Sequence, residues 1–294
     1  MPKNILFQLD VDPHPSSFDA VVAVDAGVDH LFQYGSVQAD AVESLVHGAM
    51  FTRGGDDLKH SALFIGGNDV VQAEAIFRRV QKAFFGPVRV SVMLDASGCN
   101  TTAAAAVASA SKHVTLDGCT AVVLGGTGPV GRRVAQMLAR QNANVLLTSR
   151  SLNRAETACK QIGAHVSSGN LEAVAPENED DLKALLERAE VIIASGAAGV
   201  ELASKELIHG LSKLRVAIDL NAVPPAGLGG VEAFDKAKPL HENQTDGPVA
   251  YGPIGVGGLK MRTHKAAIAK LFTSNSLVLD ADEIYDLTME QMNR

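Results

Sequence analysis

Val122-Val123-Leu124-Gly125-Gly126-Thr127-Gly128-Pro129-Val130-Gly131 decides the fold, and it stands in the middle of a 294-residue chain. A β-branched run feeds glycines spaced G-x-G-x-x-G at Gly126, Gly128 and Gly131, and Val130, Val134, Met137 and Leu138 follow at helical spacing. The order is strand, tight turn, helix. Such a turn needs a residue free of Cβ, a pyrophosphate needs close backbone approach, and the first N–H groups of the helix attract an anion. Thr127, Pro129 and Val130 stand between the glycines and complete the candidate cradle. The bland alternative is an ordinary glycine-rich turn, against which the flanking strand and helix speak for a dinucleotide. A Walker loop does not fit, because Arg132 and Arg133 follow Gly131 where Lys-Ser/Thr would stand.

The next strand bears on which dinucleotide. Asn144-Val145-Leu146-Leu147-Thr148 ends about 20 residues beyond the glycines, where a fold that prefers NAD places an acid on the ribose hydroxyls. Here Ser149 and Arg150 follow, with Arg154 four residues on. A hydroxyl and guanidinium groups can donate charge-assisted hydrogen bonds to a 2′-phosphate that an acid would repel. NADP is the expected cofactor and NAD the weaker alternative; otherwise Arg150 and Arg154 are solvated surface charges.

Composition bounds the rest. At this length two domains are the default, and 46% hydrophobic with 20% charged residues is a soluble globular balance. A net charge of −7 argues against nucleic acid as a partner. No apolar run approaches a membrane span, and Asp10 and Asp12 come too early for a signal peptide, so a cytoplasmic protein is expected. Cys99, Cys119 and Cys159 lack C-x-x-C spacing and read as reduced thiols. Asp10, Asp12 and His14 alternate like part of a metal shell, but a capped Pro-rich turn explains them, and no metal is expected.

Outward from the fingerprint, residues 5–9, 62–67 and 88–94 read as strands and 18–25 and 69–85 as helices, an α/β domain with its own sheet. Asn100-Thr101-Thr102 offers an N-cap to the alanine-rich helix that leads into the dinucleotide domain. Beyond the second strand come helices at 154–161 and 180–189 and strands at 191–194 and 216–220. The last two strands end at Ser195-Gly196-Ala197 and Asn221-Ala222-Val223, loops that should flank the nicotinamide half; Ser195, Ala197, Asn221 and Val223 are the expected contacts. A second glycine cluster, Tyr251 to Lys260, precedes helices at 261–272 and 281–289. The expected fold class is therefore α/β, with a Rossmann-type dinucleotide-binding domain (106–260) inserted in a smaller α/β substrate domain (1–105 plus 261–294).

These features together resemble the NAD(P)-dependent methylenetetrahydromethanopterin dehydrogenases of methylotrophic bacteria. The resemblance runs through Ile5-Leu6-Phe7-Gln8 with Phe18-Asp19, Phe84-Phe85-Gly86-Pro87, Met93-Leu94-Asp95, Asn100 to Ala105, the glycine fingerprint, Asn221 to Pro225, and Gly255-Val256-Gly257-Gly258-Leu259-Lys260. It implies hydride transfer from the methylene carbon of a tetrahydropterin to NADP or NAD, and the Ser149-Arg150 ending is similar to the NADP branch. A small-molecule pterin is the implied partner, and a homo-oligomer the expected assembly. The chemistry needs no general base, since the two nitrogens beside the carbon stabilise the amidinium product. Holding that carbon about 3 to 3.5 Å from the nicotinamide is the main task.

By the same resemblance Lys260 stands in the active site, at the hinge after the second glycine cluster. Its charge cannot favour a cationic product, because like charges 4 Å apart repel by about 4 kcal/mol at an effective dielectric of 20; an orienting role is expected. Phe18 is a candidate to pack on the pterin, although its composition alone suggests core. Asp95 and Asn100 are candidates to bind the ring's edge, and Thr102 and Gly257 complete the expected substrate set. A short-chain reductase or a bifunctional folate dehydrogenase and cyclohydrolase would need a Tyr-x-x-x-Lys pair; Tyr34, Tyr251 and Tyr285 are followed at four residues by Gln38, Gly255 and Met289. Methylene-tetrahydrofolate as substrate, and a non-catalytic NADP sensor, remain as alternatives.

Overall fold

The computed structural model describes residues 2–241 and 247–293. They form two compact units, Met1–Thr101 with Leu259–Arg294, and Thr102–Gly258. The breaks lie ahead of those expected at 105/106 and 260/261.

The first unit opens with β1 (Ile5–Asp10), α1 (Ser17–Asp25), β2 (His30–Tyr34), α2 (Val42–Phe51), β3 (Ser61–Gly66), α3 (Val70–Ala83) and β4 (Ser91–Leu94). β3 is buried along its whole length, as a central strand of a parallel sheet must be, and its continuous Ala62-Leu63-Phe64-Ile65 run shows it. β2 is an edge strand with His30, Phe32 and Gln33 exposed, which is why no apolar period announced it. Asp69 caps α3 by accepting from Gln72 N at 3.0 Å, and the buried face is Val70, Ala73, Ile76, Phe77 and Val80.

The alanine-rich helix α4 runs Cys99–Ala110. Asn100 and Thr101 are therefore not its cap but its first turn; the capping carboxylate is Asp95, which accepts from Asn100 N (2.9 Å) and Thr101 N (3.1 Å). The second unit continues with β5 (Thr120–Leu124), α5 (Pro129–Arg140), β6 (Asn144–Thr148), α6 (Leu152–Gly163), β7 (Asn170–Val174), α7 (Glu179–Leu186), β8 (Val191–Ala194), α8 (Lys205–His209), β9 (Val216–Asp219), β10 (Lys236–Pro239) and β11 (Val249–Tyr251). Its sheet has the order β10-β11-β9-β8-β5-β6-β7 and is parallel except at the β10–β11 edge. The strand order reverses between β5 and β8, so the loops after these two strands define the switch-point crevice of a doubly wound fold.

α9 (Pro253–Leu271) corrects the reading of the second glycine cluster. Gly255, Gly257 and Gly258 are helical, and Lys260 lies within the helix, not at a hinge before it. Two glycines of the cluster serve close packing: a Cβ on Gly252 would run into the Glu232 carbonyl, and one on Gly255 into that of Asp235. β12 (Val278–Leu279) then pairs with β4 in the first unit's five-stranded sheet, β12-β4-β3-β1-β2, and α10 (Ala281–Met292) follows behind an Asp280–Glu283 capping box. No helix among the described residues is long and apolar enough to cross a membrane.

The turn after β5 is packed backbone against backbone. Gly125 takes a left-handed φ of 66°, and a Cβ there would lie 2.6 Å from Gly196 Cα. The tight-turn glycine is thus Gly125, one residue ahead of the G-x-G-x-x-G frame. A Cβ on Gly126 would meet the Leu147 side chain at 2.8 Å, and one on Gly131 would meet Ser195 Oγ at 2.5 Å and Gly126 Cα at 2.7 Å. Around Gly128 the nearest atom would be 3.8 Å away. Gly131→Ala should therefore lose about 1 to 2 kcal/mol in denaturant unfolding, overpacking outweighing the gain in helix propensity, whereas Gly128→Ala should unfold like the native protein. Equal stabilities for the two variants would contradict this packing.

Candidate active site

In the second unit the cradle is assembled from strand ends. Thr148, at the end of β6, accepts from Gly125 N at 3.2 Å through Oγ1, donates the same hydroxyl to Val123 O, and accepts from Gly126 N at 3.0 Å through its carbonyl. Ser195 donates its hydroxyl to Leu124 O at 3.2 Å. Gly128 is the N-cap of α5, with Pro129 in the first turn and no side chain satisfying the helix's first amides. Those amides and the open space at Gly128 suit a phosphate: a donor set at a helix start, with no Cβ in the way.

Thr127 and Val130 flank that opening. Ser149 accepts from Ser151 N at 3.3 Å and shapes the turn after β6, while Arg150 and Arg154 are exposed. Ala197 and Val223 are exposed too. Asn221 serves its own loop, accepting from Val223 N at 3.0 Å and donating to Pro225 O at 3.2 Å. Behind it lies Asp219, a buried residue that no motif flagged, accepting from Asn221 N (2.9 Å) and Leu228 N (3.1 Å). Burial pushes its carboxyl up, and the backbone donors oppose the shift. Asp219, Asn221, Val223, Pro224 and Pro253 line a cavity of about 230 Å³. Thr102 is half-buried in the first part of α4, and Gly257 is half-buried on α9 with nothing within reach of a Cβ.

The first unit holds a larger cavity, about 510 Å³, lined by Asp12, His14, Ser16, Phe18, Asp19, Asn68, Ser97 and Lys260 among others. Phe18 is not core: it is 50% exposed, and Lys260 Nζ lies 4.3 Å from its ring centroid. Asp10 and Asp12 act as turn formers. Asp10 accepts from Asp12 N and Ser16 N, and Asp12 from Asn68 N and Nδ2.

Asp95 and Asn100 are turned into the fold and do not line this cavity. Besides the α4 amides, Asp95 accepts from Thr101 Oγ1 at 2.6 Å, and Asn100 Nδ2 donates to Leu94 O and Asp280 Oδ1. Behind the cavity wall His264 is fully buried against Phe64, ring centroids 5.6 Å apart, and among the described residues neither ring nitrogen has a hydrogen-bond partner. Desolvation drives it from 6.5 down to about 4, so it is neutral near pH 7. Asp19 shows the opposite shift, raised to about 6 chiefly by burial and by the nearby Asp95. No sequence pattern pointed to Asp19 or His264 as site residues.

Fold and cradle define a protein with an NAD(P)-binding Rossmann domain, and the families it matches are dehydrogenases. Residues 17–97 match the N-terminal domain of methylene-tetrahydromethanopterin dehydrogenase, and residues 107–237 match shikimate/quinate 5-dehydrogenase. The bifunctional protein MdtA of Methylorubrum extorquens is 43% identical over 99% of both chains, and the NAD(P)-dependent methylenetetrahydromethanopterin dehydrogenase of the same organism is 32% identical over the same share. The chain belongs to the methylene-tetrahydromethanopterin dehydrogenase family. The shikimate 5-dehydrogenase of Listeria monocytogenes, solved with shikimate and NAD, superposes with a TM-score of 0.52 over 97% of this chain and 96% of that one. At 12% identity that likeness speaks for the fold alone.

His264 yields a prediction with a definite sign. Between pH 6.5 and about 4 the unfolded chain takes up a proton on this ring that the folded protein refuses. As pH falls through that window, the fold loses up to about 3 kcal/mol. His264→Phe keeps a ring against Phe64 and removes the titration, so its stability relative to the native protein should rise as pH falls from 6.5 toward 4. Urea unfolding across the window checks this; a difference that does not change with pH means that the ring takes up its proton as readily in the fold as in the unfolded chain.

Proposed function

We propose that the enzyme transfers a hydride from the methylene carbon of methylene-tetrahydromethanopterin to NADP, giving the methenyl product. The observation that carries the reading is the wall formed by the exposed Phe18 ring and the Lys260 ammonium, in a cavity within the unit that matches the pterin-enzyme family. Phe18 offers a flat apolar face for a fused ring, and Lys260 a donor to hold a polar atom at its edge. When bound, NADP supplies the carbon that accepts the hydride.

The protein's part is positioning. No proton moves in the chemical step, which suits a cavity where His264, the imidazole buried behind its wall, is neutral and sealed from solvent. A lone ammonium would oppose the amidinium product, by about 4 kcal/mol at 4 Å and an effective dielectric of 20. Asp19 beside Lys260 offsets that charge, since the two interact electrostatically. Asp95 and Asn100 support this wall from within the fold by fixing the start of α4.

NADP over NAD is supported by the acid-free end of β6 and by the exposure of Arg150 and Arg154, which leaves both guanidinium groups able to reach a 2′-phosphate. Methylene-tetrahydrofolate is the second reading of the substrate: a relative at 43% identity bears the name bifunctional. Steady-state assays with both pterins and both dinucleotides test the whole reading. The native enzyme should reduce NADP fastest with methylene-tetrahydromethanopterin. Arg150→Ala combined with Arg154→Ala should lower kcat/KM for NADP by about tenfold or more per lost charged hydrogen bond, and leave NAD nearly unchanged. Equal losses for the two cofactors would remove the arginines from the phosphate site, and absence of dinucleotide reduction with either pterin would remove the function.

A further inference from the structure

Three carboxylates lie near one another in the first unit, Asp19 in the cavity wall and Asp10 and Asp95 buried behind it, and their hydrogen bonds divide them. Asp10 is spent on Asp12 N and Ser16 N, and Asp95 on Asn100 N, Thr101 N and Thr101 Oγ1. Asp19 lines the cavity with a side chain only 13% exposed, and among the described residues only the Ser16 hydroxyl hydrogen-bonds to its carboxylate. His264 Nε2 stands 3.9 Å from Asp19 Oδ1, outside hydrogen-bonding range. A half-desolvated carboxylate with spare acceptor capacity is costly in a fold, and a donor from outside the chain would complete it.

We propose that Asp19 is a specificity-determining residue that accepts hydrogen bonds from the donor edge of the substrate's pyrimidine ring, its ring N–H and the adjacent amino group. This rests on the reading of the substrate as a reduced pterin. The two donors of a 2-amino-4-oxopyrimidine lie side by side and match the two oxygens of one carboxylate, the geometry of a bidentate pair. A ring with an apolar group in place of the amino group leaves one oxygen unpaired in a desolvated site, and sites of this kind discriminate strongly. His264 contributes by being neutral: a buried cation behind Asp19 would satisfy the carboxylate from within, and the described residues place none against it. Lys260, the cation in front, lies over the Phe18 ring.

The groups that face Asp19 set its titration. Asp10 on β1 and Asp95 beyond β4 raise it together with burial; Ser16 at the start of α1 and Lys260 on α9 lower it, and the outcome is about 6. His264, also on α9, stays neutral. The carboxylate is thus a full acceptor above about pH 6 and loses that capacity below it.

The test uses 6-methyltetrahydropterin and its analogue with a methyl group in place of the 2-amino group, bound competitively to the full chain above and below pH 6. The native enzyme should favour the amino compound by about tenfold or more at the higher pH, and the preference should shrink at the lower. Asp19→Asn should bring the preference close to unity at both, with unchanged melting temperature. A native-like preference in Asp19→Asn overturns the proposal. So does a native preference that is the same on both sides of pH 6, a result that needs no variant. If the native enzyme binds neither compound and oxidises neither methylene-pterin, the substrate reading has failed and the proposal with it. Turnover of methylene-tetrahydromethanopterin together with a ring preference that ignores Asp19 refutes the proposal and leaves that reading standing.

Discussion

The loops after β5 and β8 can share one small space only because Gly125 and Gly196, which face each other there, carry no side chain. A Cβ on Gly125 would sit against Gly196, and one on Gly131 against Gly126 and the Ser195 hydroxyl. With those positions bare, α5 starts close against the strand ends, and Thr148 can hold the turn through both its hydroxyl and its carbonyl. The amides of the first helical turn are left for an anion, and Gly128 leaves the space that the anion would fill. Dispersion and sterics thus build the cradle, and electrostatics uses it.

The first unit obeys a different constraint, the cost of desolvating charge. Backbone amides pair with its buried Asp10 and Asp95, and His264 gives up its proton rather than be a buried cation. A reaction that moves a hydride from a carbon flanked by nitrogens can use such a site, since it asks for no proton donor or acceptor. What it asks for is a fixed pose. An aromatic face, a lysine held over that face and a half-buried acid are groups that fix one.

The glycine fingerprint and β6 were legible because their signals are local: a period-two run, bare positions at set spacing, and a missing acid. Other elements were not. β2 and β7 are edge strands with mixed exposure, so their sequences carry no clean period. The glycines at 255–258 read as a loop because glycine disfavours helices, yet Gly255 is required by contact with Asp235, far away in sequence. Phe18 reads as core by composition and is half exposed at a cavity. Asp19 reads as an ordinary acid in a first helical turn; its carboxyl is raised by burial and by Asp95 against the opposing Lys260, an environment that only the sheet and α9 assemble.

In the proposed reaction the carbon-bound hydrogen passes directly to the dinucleotide while the protein's ionisable groups stay out of the step. Isotope tracing tests it most directly. With a methylene-tetrahydropterin carrying deuterium at the methylene carbon, in ordinary water, the reduced dinucleotide should retain one deuterium per turnover, and the reaction in heavy water with unlabelled substrate should place none there. Deuterium lost to solvent, or taken from it, would contradict direct transfer and return an acid–base role to the residues of the cavity.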